Sequence, residues 1–171
     1  MWRLFVEKKP AFRSEANGLL RDLREQLALP GLESVRILQR YDIEGVDPAV
    51  LEAAIPTLFA EPPVDEVHRD TFPLGREGRA FAVEFLPGQF DQRADSAAQC
   101  LQIVGGGDRP AVASARVYVV TGDVTDAALG RIKAFLINPV DSREAAMDKP
   151  TSLPRSAPAP ADVSALAGFL V

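Results

Sequence analysis

Apolar and polar residues alternate along the chain with two different periods, and the changes of period locate its elements. Trp2, Leu4 and Val6 alternate with Arg3, Phe5 and Glu7, which predicts a strand. From Ala16 onward, Ala16, Leu19, Leu20, Leu23 and Leu27 recur at helical spacing, with Ser14 as the expected N-cap. Pro30-Gly31 stops that helix. Val35, Ile37, Tyr41 and Ile43 then alternate with Arg36, Arg40, Asp42 and Glu44, a longer strand with one polar face that ends at Gly45. Asp47-Pro48 combines a cap with a proline in the first turn, and Val50, Leu51, Ala54, Ile55 and Leu58 supply the buried stripe of a second helix. Pro56 interrupts that stripe and Pro62-Pro63 closes it. The first unit therefore reads β-α-β-α.

The same order returns. Phe81, Val83 and Phe85 alternate with Ala82 and Glu84; Ala94, Ala97, Ala98 and Leu101 are helical; Ala115, Val117 and Val119 alternate with Arg116 and Tyr118. After Gly122 a capped helix carries Leu129, Ile132 and Leu136, and Pro139 closes it. Individual residues correspond as well. Val6-Glu7 matches Val83-Glu84, Pro10 matches Pro87, Arg36 matches Arg116, Gly45 matches Gly122, and Pro63-Val64-Asp65 matches Pro139-Val140-Asp141. Punctuating residues in register at both ends point to an internal duplication. A unit of about 70 residues buries only about 60% of its unfolded surface, so two such units are expected to share a core about a pseudo-twofold axis. The expected fold class is α+β: duplicated β-α-β-α units covering residues 1–70 and 80–145, with sheets covered on one side by helices. Residues 73–79 read as a loop between the units. Residues 146–171 read as a proline-rich linker, with four prolines between Lys149 and Pro160, followed by the truncated start of a further domain. There Leu166, Phe169, Leu170 and Val171 begin an apolar stripe without a closing cap.

Composition narrows the chemistry. The 171 residues include one cysteine, Cys100, and one histidine, His68, which excludes an internal disulfide framework and a multi-histidine metal site. With 19 basic and 24 acidic residues the net charge is −5, so nothing points to nucleic acid. No apolar run reaches the roughly 20 residues of a membrane span. Cys100 falls mid-helix beside the apolar stripe and reads as a structural thiol; His68 reads as a surface histidine in a loop. Gly105-Gly106-Gly107 follows a helix, the reverse of a phosphate cradle, and reads as a helix stop. The densest polar cluster, Pro87 to Ser96, starts where a strand gives way to a helix, a place where side chains and free amides converge on partners. Gln89, Asp91, Gln92 and Arg93 are its candidate contact residues. Arg40 and Asp42, on the polar face of the second strand, come next. No residue pattern supplies a nucleophile with a paired base, so no catalytic, cofactor or metal residue is assigned.

Val6-Glu7-Lys8-Lys9-Pro10, the run from Val35 to Asp42, Glu61-Pro62-Pro63-Val64-Asp65, the fifteen residues from Leu86 to Cys100, and the run from Ile137 to Glu144 together resemble the amino-terminal region of the large, single-chain phosphoribosylformylglycinamidine synthase of purine biosynthesis. The resemblance spans about residues 2–145. It implies a region similar to a fused pair of the small PurS subunit, which bridges synthase and glutaminase. The parent enzyme converts formylglycinamide ribonucleotide, glutamine and ATP to formylglycinamidine ribonucleotide, glutamate, ADP and phosphate, using magnesium. None of the family's catalytic motifs occurs here, and ATP and magnesium would belong to the parent, so the chain is expected to be an inactive assembly fragment of a cytoplasmic ligase. Its expected partners are the synthase and glutaminase domains of the same chain and, for the isolated fragment, a second copy. A rival reading is a stand-alone regulatory module that binds a small metabolite between its halves.

Overall fold

A computed structural model describes residues 1–154; the expected truncated helix start at Leu166 to Val171 and the latter part of the proline-rich stretch lie outside the described residues. The fold is α+β, with four helices and one six-stranded antiparallel sheet. Along the chain come β1 (Trp2–Lys8), α1 (Ser14–Gln26), β2 (Leu32–Glu44), α2 (Pro48–Ala54) and β3 (Asp65–Arg69), then β4 (Arg79–Phe85), α3 (Gln92–Gly105), β5 (Ala111–Gly122), α4 (Asp126–Leu136) and β6 (Ser142–Ala145). The strands lie in the order β3-β1-β2-β5-β4-β6, so the long strands β2 and β5 meet at the centre.

Two strands escape the periodicity argument. β3 and β6 are only five and four residues long, and both are edge strands rich in charge. Their alternation is masked because one face of an edge strand is half wet. His68 consequently stands in β3 and not in a loop. Ser14 is the first helical residue of α1 and makes no cap; Arg13 occupies the cap position without a side-chain bond. Asp47 and Thr125 do cap α2 and α4, accepting from the amides of Ala49 and Ala128. Pro56 has the effect its missing N–H dictates: α2 ends at Ala54 and widens into a π-helical turn, Ile55–Phe59, closed by Ala60 N–H donating to Ile55 O at 3.0 Å. The glycines at 105–107 stop α3, with Gly106 in the left-handed conformation at φ 68°.

All four helices pack on one face of the sheet. Leu4, Val6, Tyr41 and Ile43 meet Leu51 and Ala54 of α2 and Ala97 and Leu101 of α3. Val35, Phe81, Tyr118 and Val120 meet Leu23 of α1 and Leu129 and Ile132 of α4. Each cluster draws on both halves of the chain, so neither half completes a core alone. The opposite face is also closed, but by extended chain. Phe72, in the β3–β4 connection, packs edge-on to Phe5 at 4.8 Å, and Arg36 Nη1 donates to Pro73 O at 2.6 Å. That connection, expected as a bare loop, is a strap over the sheet. A second strap follows β6, where Arg40 donates to Ala146 O at 2.8 Å, Arg3 to Met147 O at 2.6 Å, and Leu153 N–H to Glu44 Oε2 at 2.8 Å. Beneath the straps Phe5, Leu38, Ala82, Val117 and Val119 form a third apolar cluster.

Candidate functional site

The polar cluster at the start of α3 divides into residues held by the fold and residues left at the surface. Asp91 belongs to the fold. Its Oδ1 accepts from Ala94 N–H at 2.9 Å as the helix cap, and its Oδ2 accepts from the hydroxyl of Ser114 at 2.7 Å and from the Ser114 amide at 3.2 Å. Both oxygens tie α3 to β5, which removes Asp91 from the contact candidates. Gln89, Gln92 and Arg93 are exposed, and so is Phe90, at 70%.

Arg40 and Asp42, expected as contact residues on the polar face of β2, are buried. The alternation that put them on the polar side of β2 is correct, but that side lies under the second strap. Arg3, their neighbour on β1, donates from Nε to Asp42 Oδ1 at 2.6 Å and from Nη2 to Oδ2 at 2.8 Å. Arg40 Nε stands 3.7 Å from Oδ2. Two guanidiniums thus share one carboxylate. Burial and the nearby Arg3 charge lower the pKa of Arg40, opposed by Asp42 and Glu84. The remaining donors point at strap carbonyls, so the group fastens the chain after β6 and is closed to a partner.

Glu7 anchors a second buried set on the same face. Arg36 forks onto it, Nη2 to Oε1 at 2.5 Å and Nε to Oε2 at 3.0 Å, while His68 Nε2 lies 3.1 Å from Oε1. Burial by itself would raise the Glu7 pKa; the Arg36 bonds and charge, the His68 bond and the Arg13 charge outweigh it, and the carboxyl titrates below its ordinary value. Glu7, Glu66 and His68 bring ligand atoms within 4.8 Å of one another. A guanidinium already spans both Glu7 oxygens, so the donor set does not fit a cation without displacing Arg36. His68 contacts Glu7, and no hydroxyl or thiol is hydrogen-bonded to it among the described residues.

One site was not apparent in the sequence. On the helical face a cleft of about 190 Å³ opens over the β2–β5 seam, lined among others by Lys8, Arg13, Gln39, Tyr41, Arg93 and Arg116. A shallower depression of about 600 Å³ adjoins it through Tyr41, Phe59 and Arg93 and is walled by Leu58, Phe85 and Phe90. Gln39 and Arg116 face each other across the ladder at its floor. Arg116 meets Glu15 of α1 at 2.8 Å and Lys8 meets Asp65 at 2.8 Å. Burial would lower the pKa of Arg116; Tyr118 and Glu15 outweigh it and raise the value. The legible signal was a break in pattern: Gln39 and Arg116 are the long polar side chains in the rows Val35, Ile37, Tyr41, Ile43 and Val112, Ser114, Tyr118, Val120, which Ser114 alone otherwise interrupts. No single segment shows that both breaks fall at one point.

Compared with protein-family models, curated proteins and solved structures, the chain has no match. Among the described residues no helix is long and apolar enough to cross a membrane.

Proposed function

We propose that this chain is the amino-terminal, non-catalytic assembly domain of a cytoplasmic phosphoribosylformylglycinamidine synthase. In this role it would bridge the synthase and glutaminase domains and help enclose the ammonia path. The observation that carries the reading is the register of the central ladder. A shift of 77 residues takes Trp2, the start of β1, to Arg79, the start of β4, and Asp65, the start of β3, to Ser142, the start of β6. The same shift takes Gln39, and not Arg36 as the sequence alone suggests, to Arg116, and Gln39 and Arg116 are direct partners in the β2–β5 pairing. A pseudo-twofold axis between them is what fusing two copies of a small subunit through their long strands would leave.

The exposed side chains support a docking role. Phe90 and Val140 lie open beside Gln89 and Asp141 in the chain, and Ile103 at the end of α3 is 73% exposed. Phe90 walls one depression with Phe85, 46% exposed, and Leu58, so the apolar exposure there is grouped and not scattered. Gln89, Gln92 and Arg93 remain the contact residues of this proposal; Asp91, Arg40 and Asp42 do not.

The test is reconstitution. The purified chain should turn over neither glutamine nor ATP, should co-elute with the separately produced synthase and glutaminase domains, and should raise their glutamine-dependent amidine formation. The double variant Gln89→Ala/Gln92→Ala should weaken co-elution while leaving the circular dichroism spectrum unchanged. Glutamine hydrolysis by the chain alone, or failure to associate with either domain, would overturn the proposal.

A further inference from the structure

The cleft over the β2–β5 seam carries a charge opposite to that of the whole protein. Its walls hold four cations, Lys8, Arg13, Arg93 and Arg116, against two carboxylates, Glu15 and Asp65, in a chain of net charge −5. Both carboxylates are already used, one on Arg116 and one on Lys8. Arg13 gives its Nε to Lys8 O at 2.9 Å and pairs at 3.4 Å with Glu7, whose oxygen it shares with Arg36 Nε at 3.0 Å. Among the described residues Arg93 has the Tyr41 hydroxyl, at 3.4 Å, as its one hydrogen-bond partner and makes no ion pair. It lines the cleft and the adjoining depression alike. Arg93 therefore brings a positive charge that no carboxylate of the cleft neutralises, and Arg13 has only a shared one.

The surroundings decide what such a charge could hold. Gln39 donates its amide to Ala115 O at 2.9 Å, which fixes the side chain at the floor beside Tyr41 and Arg116. Beyond Arg93 the depression has Phe59, Phe85, Phe90 and Leu58 on its walls, with Gln92 and Ser96 among them. A concave apolar wall with a few convergent polar groups is the common form of a small-molecule site, and guanidiniums favour planar or tetrahedral oxyanions through forked donors.

We propose that the two depressions form one binding site for a small organic dianion, a phosphate monoester on an apolar body. The phosphate lies against Arg93 with Arg13 and Arg116 near it, and the apolar body rests on Phe85, Phe90 and Leu58. The site straddles the seam between the halves, so its ligand clasps elements of both. It goes beyond an assembly role and stands on the cleft's own charges; Arg93 and Phe90 serve in both readings, so its test uses the chain without partner domains.

Titration calorimetry and ¹H–¹⁵N spectra of the full chain, with phenyl phosphate, inorganic phosphate and benzoate as probes, test it without any partner domain. Phenyl phosphate should bind and shift the amides of Tyr41, Arg93 and Ser96, and it should bind more tightly than inorganic phosphate. Arg93→Gln should weaken it by about tenfold, the order expected for one charge-assisted contact. Arg143→Gln, which removes the same charge from the β6 edge beside Glu84, should leave affinity unchanged. Absence of binding, equal loss in both variants, or amide shifts away from the cleft would overturn the site. Equal affinity for benzoate would overturn the dianion assignment, and equal affinity for inorganic phosphate would overturn the apolar wall's part.

Discussion

Replacing Asp42 by asparagine should be among the most damaging single changes in this protein, although it exchanges a single heavy atom. The side chains of Arg3 and Asp42 are 2% and 5% exposed, and that of Arg40 is 6% exposed. Water therefore cannot take over when the carboxylate charge is lost. Removing one partner of a buried pair costs about 3–5 kcal/mol, because the other charge stays in a medium of low dielectric. Here one carboxylate serves two guanidiniums, which places the loss toward the upper figure. The strap carbonyls of Ala146, Met147 and Asp148 continue to accept from the arginines and keep the loss from exceeding it. A domain has about 5–15 kcal/mol of stability in all, so the variant should keep a folded baseline yet unfold far earlier. For a urea m-value near 2 kcal/mol/M, the midpoint should fall by about 2 M. Urea unfolding followed by tryptophan fluorescence measures this, since Trp2 adjoins Arg3 on β1. Amide exchange across residues 146–149 should quicken in the same variant as the strap loosens. The triple variant Arg3→Met/Arg40→Met/Asp42→Leu should be less destabilised than Asp42→Asn, because it removes both orphaned charges along with their shared partner. A loss below about 1 kcal/mol for Asp42→Asn, the value of a solvated pair, would refute the claim that the straps seal this face.

Two further outcomes follow from the same structure. Glu7 has a folded-state pKa below its ordinary 4.5, so its contribution is complete above that value and is lost as pH falls through the lower folded value. Glu7→Gln should therefore cost about 3 kcal/mol at pH 7, the low end for a buried pair because the Arg36 side chain is 15% exposed, and urea midpoints taken from pH 7 to pH 3 should show the gap from the parent protein narrowing in acid; a gap constant to pH 3 would contradict the assignment. Gly122→Ala should lower the melting temperature well beyond Gly88→Ala: both glycines have positive φ, at 115° and 90°, but a Cβ at 122 would strike Gly31 O and lie 2.6 Å from Glu33 N, whereas at 88 it meets open space. The second change should cost about 1 kcal/mol from backbone strain alone, and equal losses would show that the β2–β5 end is not tightly closed.

Much of this molecule was legible without coordinates. Alternation in Val35 to Glu44 and in Ala115 to Val119 located the two long strands. The spacing of Leu19, Leu20, Leu23 and Leu27 located α1, and the glycines after α3 were correctly taken as its stop. These signals are local, and local sterics and periodic burial produce them. β3 and β6 were not legible, because an edge strand of four or five residues shows too few turns of its pattern and half of those face water. The capping role of Asp91 was half visible, as an acid before a helix; its second bond, to Ser114, joins positions 23 residues apart.

The sequence by itself determined which residues alternate, where helices start and stop, that the chain repeats its own order, and that histidine and cysteine are too scarce for most site chemistries. The tertiary structure alone decided which faces are dry. Arg40 and Asp42 lie on the polar side of β2 by any reading of the pattern, and they are buried because the strap after β6, from a distant part of the chain, crosses that side. Gln39 and Arg116 are unremarkable singly and become the floor of a cationic cleft because β2 and β5 pair in one register. Periodicity reports the direction in which a side chain leaves its own backbone. Whether water, a strap or a neighbouring strand waits there depends on contacts between segments up to 145 residues apart, and no window along the chain contains them.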